Sequence, residues 1–185
     1  MGLAPVSSQL QLIRYSHIFS SAVREVLELS VLRELGADSI SPRQLQILRF
    51  IDTAQHHIDD VAKFLEVTGP AATQALDRLE ALGLVLRTPS GDDRRLKFLS
   101  CSEKGKKLIA SHGLLETERL DAILSRFSPR EVTVMARLLE RYALALIEFE
   151  GPDPAPCLRC HGYYEANCPV QFVHSSCPYR HTERS

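Results

Sequence analysis

Four of the five cysteines in this 185-residue chain, and three of its seven histidines, fall between Cys157 and His181. Cys157, Cys160, Cys168 and Cys177 are separated by two, seven and eight residues, so all four can converge on one centre with two short loops between them. Four thiolates suffice for a tetrahedral metal site or for the corners of an iron–sulfur cluster. An iron–sulfur cluster is the first reading, because Cys168 and Cys177 are each followed by proline, a pairing common beside cluster ligands. Zinc is the alternative, although zinc ribbons usually pair two Cys-x-x-Cys knuckles and only Cys157 and Cys160 form one here. Haem through Cys157, Cys160 and His161 ranks third, since covalent attachment normally takes place outside the cytoplasm. His161, His174 and His181 can each replace one cysteine ligand.

The compartment bears on that ranking. The segment MGLAPVSSQLQLIRYSHIF has no basic region leading into an apolar stretch and a small-residue cleavage site, so no secretory signal is expected. No apolar run approaches the ~20 residues of a membrane helix. A cytoplasmic protein with no membrane partner is expected, and there a cysteine cluster more often binds metal than forms disulfides. Cys101 stands apart from the cluster and reads as a small buried hydrophobe.

Net charge is −1, yet from Arg87 to Lys107 seven basic residues face only Asp92, Asp93 and Glu103, a local charge of +4. A basic strip in a neutral protein is the electrostatic footprint of a nucleic-acid contact. Nothing in the chain pairs a nucleophile with an activating base or forms a Gly-rich phosphate loop, so no enzyme is expected.

The elements that must carry these residues are mostly helical. Leu12, Ile13, Phe19, Val23, Val26, Leu27 and Val31 recur at three-to-four spacing and predict one long amphipathic helix from Ser8 to about Leu35, closed by Gly36. Ser41-Pro42-Arg43-Gln44 combines an N-cap, a first-turn proline and a capping-box glutamine, and opens a short second helix. HHIDDVAKFLEV (56–67) predicts a third, and TGPAATQALDRLEALGLV a fourth that ends at Gly83, so the pair forms a helix-turn-helix. The next stretch, LVLRTPSGDDRRLKFLSCS, switches to extended periodicity around a Pro-Ser-Gly-Asp turn and predicts a β-hairpin with a basic tip. Ser102 then caps a helix to about Phe127, and Ser128-Pro129-Arg130-Glu131 opens another with an apolar face of Val132, Val134, Met135, Leu138, Leu139, Tyr142, Leu146 and Ile147. Three prolines in EGPDPAP (150–156) end it.

The stretch LDRLEALGLVLRTPSGDDRRLKFLSCSEKGKKLI resembles the multiple antibiotic resistance regulator (MarR) family of winged-helix transcription factors. The likeness lies in the Asp-Arg-Leu-Glu helix end, the Gly-Leu-Val strand entry, the Asp93 and Arg95 wing pair and the Ser102-Glu103-Lys104-Gly105 helix start, and it extends over roughly residues 8–150. It implies a mainly α fold with a small β-wing: an N-terminal dimerisation helix (1–40), a winged helix-turn-helix (41–101), C-terminal dimerisation helices (102–150), and beyond them a Pro-rich linker with the Cys-rich tail (151–185). The implied partners are a second copy of the chain and double-stranded DNA carrying a pseudo-palindromic operator. The apolar stripes near both ends agree, since they are not needed to complete a winged-helix core.

Within that frame Thr68, Thr73, Gln74 and Arg78 are the polar positions of the recognition helix that can face DNA, while Ala72, Leu76 and Leu79 form its core side. Pro70, Ala71, Ala72 and Gln74 stand where members of the family often carry Ser, Thr and Arg, so readout is expected to lean on Thr methyl contacts, Gln74 with adenine, and DNA shape. Arg94 and Arg95 at the wing can enter a minor groove, with Asp93 holding one of them. Lys104, Lys106 and Lys107 are general phosphate contacts or solvated charge. The expected function is a homodimeric regulator whose operator binding is controlled by the tail's cluster or metal in response to redox state, iron or nitric oxide. The alternatives are a regulator with a structural zinc and a small phenolic or aromatic effector, and a haem-binding redox protein.

Overall fold

The structure is a computed structural model, and it describes residues 7–89 and 97–150. Seven α-helices and a two-stranded antiparallel sheet follow in the order α1 (Ser8–Val23), α2 (Ser30–Glu34), α3 (Pro42–Thr53), α4 (Ile58–Leu65), α5 (Gly69–Ala81), β1 (Val85–Pro89), β2 (Lys97–Cys101), α6 (Glu103–Leu124) and α7 (Pro129–Glu150). This is the mainly helical fold with a small β-wing that the sequence implies.

The first helix is not one uninterrupted α-helix. Between α1 and α2 the chain winds as a π-helix over Arg24–Leu29. The Val26 carbonyl in that segment accepts from Arg119 Nη1 of α6 at 2.8 Å and from the Ser30 hydroxyl at 2.7 Å, so two side chains bond the backbone where the winding changes. Arg119 also bonds Ser30 and Glu34, which fastens this segment to α6.

The local signals for α3 act as read. Ser41 accepts from the Gln44 amide and Gln44 returns a bond to the Ser41 amide, a complete capping box with Pro42 in the first turn. Ser102 likewise caps α6 by accepting from the Gly105 amide at 3.0 Å, and Glu131 closes a box on the Ser128 amide at 2.8 Å ahead of α7. The third helix is shorter than its apolar pattern. His56 leaves it to pair with Leu99 of β2, with the Leu99 amide donating to the His56 carbonyl at 2.8 Å. At the other end Glu66 turns into the left-handed region at φ 53°. α6 stops at Leu124, three residues before the expected Phe127, where the Phe127 amide folds back on the Leu124 carbonyl.

The core lies inside the winged helix and beneath it. Leu32 of α2, Ile47, Leu48 and Ile51 of α3, Phe64 of α4, Leu76 and Leu79 of α5, Leu84 and Leu99 of the wing are all buried. Phe50 stacks on Phe64 with ring centroids 4.4 Å apart and on His56 at 4.0 Å. Cys101 is buried as expected, its thiol donating to the Leu48 carbonyl at 3.3 Å. Two glycines are required by this packing. Gly83 ends α5 at φ 70°, and a Cβ on Gly105 would collide with the Leu84 backbone carbonyl where α6 passes the wing entry.

The long helices contrast with this core. No residue of α1 is buried, and Tyr15 and Ile18 are 68% and 62% exposed. Leu138, Leu139, Leu146 and Phe149 of α7 and Leu114, Leu120 and Ile123 of α6 are also exposed. Monomers rarely present that much contiguous apolar surface.

Candidate nucleic-acid interface

The turn between α4 and α5 sets the recognition helix. The Val67 amide bonds back to the Ala62 carbonyl, Thr68 sits at the N-cap of α5, and Pro70 occupies its first turn, where a missing amide donor costs nothing. Ala72, Leu76 and Leu79 bury one face of α5 against the core. That leaves Pro70, Thr73, Gln74 and Asp77 lining an open groove of about 730 Å³, which His57 of the α4 entry and Arg87 and Lys97 of the wing close from the other side.

Thr73 and Gln74 therefore stand together in the groove. The Thr73 hydroxyl donates to the Gly69 carbonyl at 2.9 Å, one helical turn back, so its proton is already committed within α5. Its methyl group and oxygen lone pairs remain. Gln74 is exposed and makes no hydrogen bond with the described residues, which leaves both ends of its amide free to read a base edge. Thr68 is exposed at the helix start without a side-chain cap bond. Arg78 stands apart: it lies in the last turn of α5 and donates to the Ser39 carbonyl at 2.9 Å, outside the residues that line the groove.

The basic strip is less free than its count implies. Arg87, on β1, is only 12% exposed and reaches across to α5, with Nη2 2.6 Å from Asp77 and Nε 3.3 Å from Glu80. The second contact is an ion pair without hydrogen-bond alignment, since Nε is buried without a hydrogen-bond partner among the described residues. Arg87 thus ties the first wing strand to α5 and neutralises the Asp77 carboxylate that lines the groove. Lys104 caps the end of α5 through the Leu82 carbonyl at 2.9 Å, and Lys106 pairs with Glu103 at 3.5 Å. Lys97 has no ion pair among the described residues and lines the groove. Arg94, Arg95 and Asp93 lie outside the described residues, as do Cys157, Cys160, Cys168 and Cys177. Among the described residues no group of three or more histidine, cysteine or acidic side chains can hold a metal. Cys101 lies in the core, where burial, with a smaller push from Asp52, raises its thiol to about 12.

A second polar cluster joins the winged helix to α6. His112 of α6 is completely buried; its Nδ1 is 3.2 Å from Arg49 Nη2 of α3 and 3.4 Å from Glu116, and Arg49 also reaches Glu116 at 3.4 Å. His112 Nε2 has no partner among the described residues. Burial alone would raise the Glu116 carboxyl, but the bonds and charges of His112 and Arg49 outweigh it and hold the group below the ordinary value of 4.5. Glu116 also lines a cavity of about 830 Å³ between α1, the π-helical segment and the winged helix, together with Phe19, Phe64, Arg24 and Arg43.

Sequence reasoning misses three of these features. His57 in the groove, Arg87 as a tie to Asp77, and the Arg49–His112–Glu116 cluster leave no periodic or motif signal, because each depends on a contact between different elements.

Comparison with known proteins agrees with the geometry. Residues 38–96 match the MarR family. The HTH-type transcriptional regulator FarR of Neisseria gonorrhoeae is 29% identical over 121 residues, which cover 65% of this chain and 83% of FarR. The structure of Streptococcus pneumoniae FabT in complex with DNA is 26% identical, covers 77% of this chain and 99% of its own, and superposes with a TM-score of 0.63. For the fold alone, the Rv1404 protein of Mycobacterium tuberculosis, 18% identical, covers 78% of this chain and 98% of its own at a TM-score of 0.66. The α4–α5 groove, the wing and these relatives together give this chain a winged-helix fold similar to that of MarR-type transcriptional regulators.

Proposed function

We propose that the chain works as a cytoplasmic homodimer that binds double-stranded DNA at a pseudo-palindromic operator. Residues 41–101 serve as the DNA-binding unit, and residues 1–40 and 102–150 as the dimerisation unit. The observation that carries this reading is the groove in which Thr73 and Gln74 of α5 stand beside Lys97 of the wing. An exposed, adaptable amide next to a free ammonium group combines a base-reading donor and acceptor with a phosphate-binding charge. Homodimerisation is supported by large apolar side chains of α1 and α7 that stay exposed among the described residues, Tyr15, Ile18, Leu138 and Leu146 among them. Leu138→Glu with Leu146→Glu tests the dimer: molar mass by light scattering should fall to that of one chain, and DNA affinity should fall with it. A dimer that survives both charges overturns this assignment.

We infer further that Cys157, Cys160, Cys168 and Cys177 bind one metal centre, an iron–sulfur cluster in the first instance and zinc in the second, with haem third. The donor set supports it: four cysteines in twenty-one residues, beyond a proline-rich break, match the ligand demand of either centre. A bound centre would supply a fold-organising crosslink whose loss to oxidant, nitric oxide or iron limitation changes the distance between two recognition helices, set at about 34 Å for successive major grooves. Metal and sulfide analysis of protein purified without oxygen decides between the centres.

A second reading has its own support in the cavity lined by Phe19 and Phe64. Two aromatic side chains together with Arg24 and Arg43 suit a small phenolic or aromatic acid. Under that reading the tail metal is structural and the effector acts at the junction of α1 with the winged helix.

A further inference from the structure

We propose that His57 is a proton-gated contact to the DNA backbone, a binding residue additional to Thr73, Gln74 and Lys97. The inference rests on the reading of the α4–α5 groove as the DNA-binding face. His57 immediately precedes α4 and is half-buried at the edge of the same groove, where its ring meets Phe98 of β2 at a centroid distance of 4.6 Å. Its Nδ1 lies 3.3 Å from the Lys97 carbonyl oxygen. A carbonyl can only accept, so this contact needs a proton on Nδ1, whereas the capping box of α4, in which the His57 side chain accepts from the Asp60 amide, needs a lone pair there; the two contacts belong to different protonation states of the ring. Nε2 has no partner among the described residues. Protonated, the ring carries an N–H on both nitrogens and a positive charge beside Lys97, which a phosphate attracts.

The surrounding charges leave that role open. On its own helix, Asp60 accepts from the His57 backbone amide at 2.8 Å, and Asp59 lines the groove. From α5, Asp77 is held by Arg87 of β1 at 2.6 Å, and from β2 the nearest charge is Lys97. The neighbouring His56 faces away from DNA: it is buried against Phe50, and its Nε2 donates to the Thr53 hydroxyl, whose own proton goes to the Phe50 carbonyl at 2.7 Å. Burial holds His56 toward its neutral form. Of the two adjacent histidines, only His57 can present a proton to a ligand in the groove.

The sign follows from linkage. DNA that binds the protonated ring takes up a proton, so affinity rises as pH falls through the range in which imidazoles titrate and is lost as pH rises. A phosphate contact is independent of sequence, which allows a test without a known operator. The full-length protein, His57→Gln and His57→Arg are titrated with a mixed-sequence duplex of about three helical turns at constant ionic strength. The wild type should bind about fivefold more tightly at about pH 6 than at about pH 8. The Gln variant should lose that ratio, and the Arg variant should keep tight binding at both pH values. Calorimetry of the wild type in two buffers of different ionisation enthalpy should show net proton uptake on binding, larger than in the Gln variant. A Gln variant with the wild-type pH ratio overturns the proposal. An Arg variant that binds weakly at both pH values, while the wild type binds, makes the position structural and also overturns it. Absence of duplex binding by the wild type at every pH sinks the DNA-binding reading itself, a separate outcome.

Discussion

Arg49 Nη2 of α3 lies 3.2 Å from Nδ1 of His112, a completely buried histidine on α6. Arginine only donates and a carboxylate only accepts, so Nδ1 bonds Arg49 when it carries no proton and Glu116 when it does, while Nε2 is buried without a partner among the described residues. The contact joins α3 to α6, with Glu116 as the third member. A polar cluster in this position specifies one packing of α6 against α3, because any slip of α6 leaves buried charge unpaired.

Glu116 gives that cluster a measurable pH signature. Its carboxyl is held below the ordinary 4.5 in the folded state, so it stabilises the fold fully above the unfolded value and loses the contribution as pH falls through the lower, folded one. Thermal unfolding midpoints should drop between about pH 4.5 and lower pH in the wild type, and Glu116→Gln should flatten that part of the curve. With Arg49 and Glu116 partly screened, at 12% and 22% exposure, Glu116→Gln should cost about 1 kcal/mol at neutral pH. Arg49→Met should cost more, about 2–3 kcal/mol, since it leaves a half-buried carboxylate facing only His112. An unchanged acid limb in Glu116→Gln would refute the linkage.

Arg87 is a hinge pin between wing and recognition helix. Arg87→Met should destabilise the protein by about 1 kcal/mol, a modest figure because Asp77 is 56% exposed. Its larger effect should be on DNA affinity, since it loosens β1 and uncovers the Asp77 carboxylate in the groove. Asp77→Asn in the same background should recover part of the binding. Additive losses in the double variant would show that the two residues act independently.

Base reading and charge can be separated by substitution. Gln74→Ala should cost about 1–3 kcal/mol on a selected site and little on random duplex. Arg94→Ala with Arg95→Ala should weaken binding to both and lower the slope of affinity against salt, because fewer counterions are released. Equal losses for Gln74→Ala on both duplexes would assign it to the backbone.

The cysteines divide into one and four. Cys101, buried and with its thiol raised to about 12, should resist alkylation in the native protein and react after denaturation, as peptide mass spectrometry would record. Cys101→Ala should leave metal loading intact, whereas serine at Cys157, Cys160, Cys168 or Cys177 should abolish or strongly reduce it, because a four-ligand centre does not tolerate loss of one thiolate. Loading that depends only on Cys157 and Cys160 would favour haem or a smaller histidine-assisted site.

By itself the sequence determined what depends on near neighbours. Ser41 with Gln44, Ser102 with Gly105, and Ser128 with Glu131 are separated by three residues, so their caps are legible before any tertiary contact. The burial of Ala72, Leu76 and Leu79 follows from helical period, as do Cys101 as a core residue and the unburied stripe of α1 from what a winged helix does not need. Tertiary structure alone decided which polar residues share a surface. Arg87 reads as one more charge of a basic strip until β1 is laid against α5, and Arg78 reads as a groove residue until the 37–40 loop supplies the Ser39 carbonyl. The π-helical turn at Arg24–Leu29 is bonded by Arg119 from 93 residues away, and His56 leaves its helix because Leu99 offers a strand partner. Each of these is a bond between elements brought together by packing, and neither periodicity nor a capping motif carries the coordinates of a distant partner.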